Sequence, residues 1–197
     1  MIGLFGGRFD PVHRVHLLIA KVAADSLNLK QVRWIVSGEA EHKSVIAKAA
    51  DRLEMVKLAL AEAGDPRMVI DNREIMAKAQ GQSNYTADTL QSLQKEFPEK
   101  QFIWILGEDQ LENFKTWSRW QWLITQMAFA VYARPDAKSA AIAQELEAMG
   151  AQIHWIGERP DSVSSTLVRQ TIRAHKPIDQ LVSPSVAQYI ARHHIYQ

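Results

Sequence analysis

The sequence predicts an α/β protein: a doubly wound parallel sheet with a small helical C-terminal part. Two patterns carry that prediction. Short apolar runs alternate with longer stretches of helical period along the whole chain. The runs are apolar at successive positions rather than at every second one, as strands covered by helices on both faces require. No low-complexity linker and no internal repeat interrupts the alternation. Residues 1–197 are therefore expected to form a single domain, with the helical part from about residue 160 onward.

The elements follow in order. Ile2 to Phe5 is the first strand, ended by Gly6-Gly7. His16 to Leu29 is a helix, whose Leu17, Leu18, Ala20, Val22 and Ala24 supply an apolar face. Val32 to Val36 is a second strand. A polar loop leads to a helix from Ala47 to about Ala63, with Leu53, Val56, Leu58 and Leu60 as its buried stripe. Met68 to Ile70 is a third strand, and residues 71–85 read as a long polar loop. Thr86 can cap a helix running to about Phe97. Phe102 to Leu106 is a fourth strand, stopped by Gly107. A Trp-rich helical stretch covers 108–124, Ala128 to Tyr132 is a fifth strand, and 136–149 a helix. Ile153 to Ile156 is the sixth strand, and helices over about 165–174 and 185–193 complete the chain. In such sheets ligands sit at the carboxyl ends of the strands, near the switch point. The loops after strands one, two, four and six are the places to look for chemistry.

Composition narrows the function. The chain has 197 residues, a formal charge of +1, 47% hydrophobic and 23% charged residues. Those are globular values, which excludes wholesale disorder. Near-zero charge, without a basic stripe interleaved with aromatics, argues against a nucleic-acid partner. There is no cysteine, so disulfides, thiolate zinc sites and cysteine nucleophiles are ruled out. No apolar run is long enough to cross a bilayer, and the N-terminus lacks the pattern of a signal peptide. A cytoplasmic protein without a membrane partner is the expectation.

The first loop reads Gly6-Gly7-Arg8-Phe9-Asp10-Pro11-Val12-His13-Arg14-Val15-His16. Two glycines let the backbone approach a bound group closely. A helix starting near His13 would aim its free N–H groups at the same space, which suits phosphate. His13 and His16 lie on one face of that helix start. By themselves these residues leave a phosphate cradle, a plain turn with surface histidines, and a histidine metal pair all open. The metal pair lacks a third ligand in the sequence.

Taken together, the motifs resemble a known family. Gly-Gly-x-Phe-Asp-Pro-x-His-x-x-His is similar to the N-terminal signature of the nucleotidyltransferase superfamily, with bacterial nicotinate-nucleotide adenylyltransferase as the nearest match. Val163-Ser164-Ser165-Thr166-Leu167-Val168-Arg169 is similar to the second signature. Asn84-Tyr85-Thr86-Ala87-Asp88-Thr89-Leu90, Leu106-Gly107-Glu108-Asp109-Gln110-Leu111 with Phe114 and Trp117, and Arg134-Pro135 also match family segments, in the family's order. Such an ordered set is far more specific than any one motif.

The resemblance implies a Rossmann-like nucleotidyltransferase fold and transfer of AMP from ATP to nicotinate mononucleotide, with Mg2+ arriving with ATP. The nucleophile is a phosphate oxygen already ionised at neutral pH, so no general base is required. Positioning and charge stabilisation carry the reaction. The resemblance assigns His16, His13 and Arg169 to catalysis. It assigns ATP binding to Gly6, Gly7, Phe9, His13, His16, Lys43, Ser164, Thr166 and Arg169, with His42 beside Lys43. Tyr85, Thr86, Asp109, Trp117 and Arg134 fall to the acceptor. Trp104, Trp120 and Trp122 read as core or scaffold. No residue is assigned to a resident metal.

Three departures from the family pattern stand out. Arg8 replaces a usual Thr, Val15 replaces a usual Gly, and Ala40-Glu41 replaces a diproline before His42. If Val15 crowds the adenine, Val15→Gly should improve ATP use. The departures keep two alternatives open: a diverged paralogue that binds nucleotide with little transfer, and an adenylyltransferase for another phosphorylated acceptor such as phosphopantetheine.

Overall fold

The computed structural model describes residues 1–38, 46–83, 85–133, 136–157 and 162–197, with only the backbone of Ala137. Its sheet holds six strands: β1 (Ile2–Gly7), β2 (Val32–Val36), β3 (Met68–Asp71), β4 (Phe102–Gly107), β5 (Ala128–Tyr132) and β6 (Ile153–Ile156). Their order is β3-β2-β1-β4-β5-β6, and every pairing is parallel. The chain winds outward from β1 to β3, then returns to β4 and winds the other way. The switch point lies between β1 and β4, as the doubly wound prediction requires.

The helices are α1 (Arg14–Ser26), α2 (Ala49–Ala63), α3 (Arg73–Ala79), α4 (Thr86–Glu96), α5 (Glu108–Glu112), α6 (Trp120–Gln126), α7 (Ala137–Ala148), α8 (Ser165–Arg173) and α9 (Pro184–Arg192). They cover two hydrophobic cores, one on each sheet face. On one face Phe5, Val32, Ile103, Ile105 and Ala130 pack with α1, α2 and the C-terminal helices. On the other, Leu4, Trp104, Leu106, Phe129 and Val131 pack with α4, α6 and α7. Successive strand residues point to opposite faces, and the central strands are covered on both, so their runs are apolar; polar residues enter at Arg33 on β2, Asp71 on β3 and the exposed His154 on β6.

Several boundaries differ from the sequence reading, and four of the differences have a plain local reason. First, β1 does not stop before Gly6-Gly7 but runs through them, paired with Ile35 and Val36 of β2. Second, α1 begins at Arg14 and ends at Ser26 rather than Leu29. Asn28 turns left-handed, and the Leu29 amide bonds back to the Ala24 carbonyl, which drops Leu29 into the core.

Third, the segment 71–85 is not all loop, because α3 occupies Arg73–Ala79. Asp71 accepts from the Arg73 amide at 3.1 Å and from its guanidinium, and from Arg33 on β2. That buried carboxylate starts the helix, and Arg73 then reaches Ser92 and Glu96 on α4. Fourth, the Trp-rich stretch is broken into α5, a single 3-10 turn at Phe114–Thr116, and α6. Arg119 takes a left-handed conformation at the α6 start, which no helical period can signal. Thr86 is the first residue of α4 and not its cap; Tyr85 holds the cap position.

Candidate active site

The carboxyl ends of β1 and β4 open into a cleft of about 790 Å3. Gly6 and Gly7 form its floor for steric reasons. A Cβ on Gly6 would lie 2.4 Å from the Trp104 indole, and one on Gly7 2.9 Å from the Phe9 ring. The glycines therefore admit two aromatic rings against the strand end. The backbone turn comes two residues later, at Phe9, which is left-handed at φ 49°.

His13 caps α1, and its backbone amide donates to Nδ1 of His16 at 3.1 Å. The two imidazoles stack with centroids 3.6 Å apart, and both line the cleft. Burial brings the His13 pKa down to about 4. Burial, and secondarily the neighbouring His13, hold His16 well below its ordinary value. Both rings are thus neutral at pH 7. With Nδ1 of His16 accepting, its single proton sits on Nε2. The pair offers N–H donors rather than fixed cations.

The second signature closes the cleft from α8. Ser164 caps that helix, its Oγ accepting from the Leu167 amide at 3.2 Å. Ser165 lines the cleft and donates to the Pro11 carbonyl at 2.9 Å. Arg169 donates to the Asp10 carbonyl at 2.6 Å and to the Thr166 hydroxyl at 3.1 Å. Ser164, Thr166 and Arg169 are not among the cleft-lining residues; Ser165 and Arg169 tie the second signature to the first through the Pro11 and Asp10 carbonyls.

The opposite wall carries Tyr85, Thr86, Asp109 and Trp117, all lining the same cleft. Trp117 is half-buried, with its ring edge-on to Trp104 at 6.0 Å and tilted against Phe114 at 5.2 Å. Asp109 sits in the first turn of α5, and a Cβ on Gly107 would lie 2.8 Å from its Oδ1. Trp104 belongs to the core and also lines the cleft, whereas Trp120 and Trp122 only pack against the core. His42, Lys43 and Arg134 lie outside the described residues.

Two corrections concern the cleft. Val15 is 5% exposed, packs in the α1-side core and does not line the cleft, so it cannot crowd a nucleotide there as the sequence reading supposed. Glu74 and Lys78 line the cleft from α3 and were missed, because their segment read as loop. Glu74 is buried, accepts from the Thr89 hydroxyl at 2.7 Å, and is pushed by that burial up to about 7. Of the three departures, Arg8 is the one that lines the cleft among the described residues.

Comparison with known proteins now fits this geometry. The cytidylyltransferase-like family model matches residues 4–171. A Bordetella parapertussis protein named a probable nicotinate-nucleotide adenylyltransferase is 39% identical over 200 residues, covering 100% of this chain and 98% of its own. The chain belongs to the nicotinate-nucleotide adenylyltransferase family. A Chromobacterium violaceum member of the same name is 36% identical, covering 100% of this chain and 98% of its own. The Plasmodium falciparum nicotinic acid mononucleotide adenylyltransferase, solved with NaAD, superposes with a TM-score of 0.83. That match has 18% identity and covers 99% of this chain and 96% of the other. At that identity it shows the nucleotidyltransferase fold. This adenylyltransferase family member, like its curated relatives, is a nucleotidyltransferase.

Proposed function

We propose that the protein transfers AMP from ATP to nicotinate mononucleotide, forming deamido-NAD and pyrophosphate for NAD biosynthesis. The observation that carries this reading is the shared cleft. His13, His16 and Ser165 face it from one wall, and Tyr85, Thr86, Asp109 and Trp117 from the other. Two nucleotides can meet there head to head over Gly6-Gly7.

The acceptor phosphate oxygen attacks the α-phosphorus in line, the bond to the bridging oxygen breaks, and magnesium pyrophosphate leaves. His16 donates from Nε2 to the α-phosphate as charge moves onto it. His13 donates to the neighbouring phosphate oxygens. Ser165 and the first turn of α8 face the leaving group, with Thr166 and Arg169 fixing that turn and adding positive charge. Lys43 is assigned to the phosphates by its motif alone. Trp117 offers a flat face to the pyridine ring, and Tyr85, Thr86 and Asp109 take its substituent and ribose. Arg134 keeps its motif assignment to the acceptor.

Magnesium enters as part of the ATP substrate. No three His, Asp or Glu side chains converge as a metal cage among the described residues. Mg2+ arriving with ATP would supply charge neutralisation on its phosphate oxygens. No helix among the described residues is long and apolar enough to cross a membrane. Residues 1–197 acting as one unit, in the cytoplasm, on small-molecule substrates, complete the reading.

Pyrophosphate release with magnesium ATP tests it against nicotinate mononucleotide, nicotinamide mononucleotide and phosphopantetheine. Nicotinate mononucleotide should be fastest. Preference for phosphopantetheine would reassign the acceptor. Nucleotide binding without release from any acceptor would make the chain a binding protein.

A further inference from the structure

The last residues of the chain return to the first signature. Tyr196 is 4% exposed, and its hydroxyl donates to Oδ1 of Asp10 at 2.7 Å. Asp10 is itself buried. Its Oδ2 accepts from the Ile46 amide at 2.9 Å and its Oδ1 from the Ala47 amide at 3.1 Å. Its carbonyl accepts from Arg169, and the next carbonyl, of Pro11, from Ser165. Four stretches far apart in sequence therefore meet on one aspartate.

Their charges are matched locally. Arg52 is fully buried, and donates to the Arg8 carbonyl at 2.7 Å and the Ala47 carbonyl at 3.3 Å. It and Arg169 lie near enough to Tyr196 to oppose, in small part, the negative field of Asp10. Burial and the Asp10 carboxylate hold the Tyr196 hydroxyl above its ordinary range, so it donates at neutral pH. The helix that delivers Tyr196 is docked independently. On α9, Tyr189 donates to Asp51 at 3.0 Å and the Ser185 amide to Glu62 at 3.0 Å, both on α2.

Tyr196 does not line the cleft. Its route to the chemistry runs through Asp10, which sits between the strand end at Gly7 and the helix start at His13. We propose that Tyr196 is a positioning residue for ATP: through Asp10 it fixes the phosphate-facing turn against the α8 start and the Ile46–Ala47 backbone. A buried hydrogen bond to a charged acceptor is strong enough to select one arrangement of such a junction. The proposal rests on the function proposed above, and its test keeps the two separate.

Tyr196→Phe removes one oxygen and keeps the ring. We expect kcat/KM for ATP to fall about tenfold or more, with KM for nicotinate mononucleotide within twofold of the parent. Asp10→Asn should give the same ATP-selective loss, and the double variant should be no worse than the weaker single one. Calorimetry with a non-hydrolysable ATP analogue should show a matching drop in affinity. That last reading holds even if the parent proves to have no transferase activity, which would overturn the proposed function alone. ATP constants and analogue affinity within twofold of the parent, with only the melting temperature lowered, would make Tyr196 a stabilising residue and overturn the proposal. So would losses in the double variant that simply add.

Discussion

The backbone amide of His13 donates to Nδ1 of His16, 3.1 Å away, and this bond decides what His16 can do. It pins the imidazole in the tautomer that carries its proton on Nε2, in a ring lining the cleft. A neutral donor held in place costs no reorganisation when charge develops on the α-phosphate.

His16→Ala should lower kcat by about a hundredfold or more, the size typical for losing one transition-state donor. The helix should survive, since the His13 amide can turn to water. His13→Ala should act the same way but less severely. Steady-state rates beside circular dichroism check both; a folded His16→Ala enzyme within a fewfold of the parent would remove the assigned role.

Trp117→Ala should weaken the acceptor. Losing a stacking face typically costs ~1–3 kcal/mol, so KM for nicotinate mononucleotide should rise roughly five- to 150-fold while KM for ATP barely moves. Because Trp117 also touches Trp104 and Phe114, a small drop in melting temperature should accompany it. Loss of folding without an acceptor-specific effect would make Trp117 a core residue.

Val15→Gly should destabilise without helping ATP. Val15 is buried among core residues. Removing its side chain forfeits about 1.5–3 kcal/mol of burial, and glycine inside a helix costs up to about 1 kcal/mol more. Chemical denaturation should show a loss on the order of 2–4 kcal/mol, with ATP constants unchanged or worse. Improved ATP kinetics would return Val15 to the nucleotide wall.

Stability should depend on pH through the buried histidines of the cleft, His13 and His16, and, with the opposite sign, through Glu74. Burial also holds His16 well below its ordinary value, so its contribution has the same sign as that of His13. The folded state holds His13 down at about 4 against an ordinary 6.5. Between those values the unfolded chain binds the extra proton, so stability is full above 6.5 and falls as pH drops toward 4. The slope is up to ~1.4 kcal/mol per pH unit. Glu74 runs the other way. Its pKa rises from 4.5 to about 7, chiefly by burial, so the folded state keeps the proton longer. The stability it lends is full below 4.5 and is lost as pH rises through 7. The two slopes oppose each other between 4.5 and 6.5. Glu74→Gln should therefore steepen the acid-side loss and raise stability at pH 8 by on the order of 1–3 kcal/mol. Denaturant titrations of parent and variant at pH 5, 6, 7 and 8 check the sign; parallel curves would place Glu74 in water.

Much of this architecture was legible in the chain. Six mostly apolar runs marked the six strands because parallel strands covered on both faces bury most of their side chains. The motifs named residues that the fold gathers at one cleft, His13, His16, Tyr85, Thr86, Asp109 and Trp117, whereas Ser165, rather than the assigned Ser164, Thr166 and Arg169, lines it from α8. Local sequence failed where a distant partner decides the local shape. The helix at Arg73–Ala79 begins on the buried Asp71, whose bonds to Arg33 and Arg73 no period of apolar residues reveals. The Trp-rich stretch broke at a left-handed Arg119, which a helical pattern cannot show.

What the sequence determined by itself was the order of strands and helices and the identity of the residues at the strand ends, since periodicity and motif are properties of neighbours along the chain. Tertiary structure alone decided the rest. It turned Val15 into the core, brought Glu74 to the cleft wall, and set Trp104 across the space a Gly6 side chain would fill. It also joined Tyr196 to Asp10 across nearly the whole length of the chain. The physical reason is the same in each case: burial, proton affinity and hydrogen-bond partnership depend on which surfaces meet in space, and separation along the chain says nothing of that.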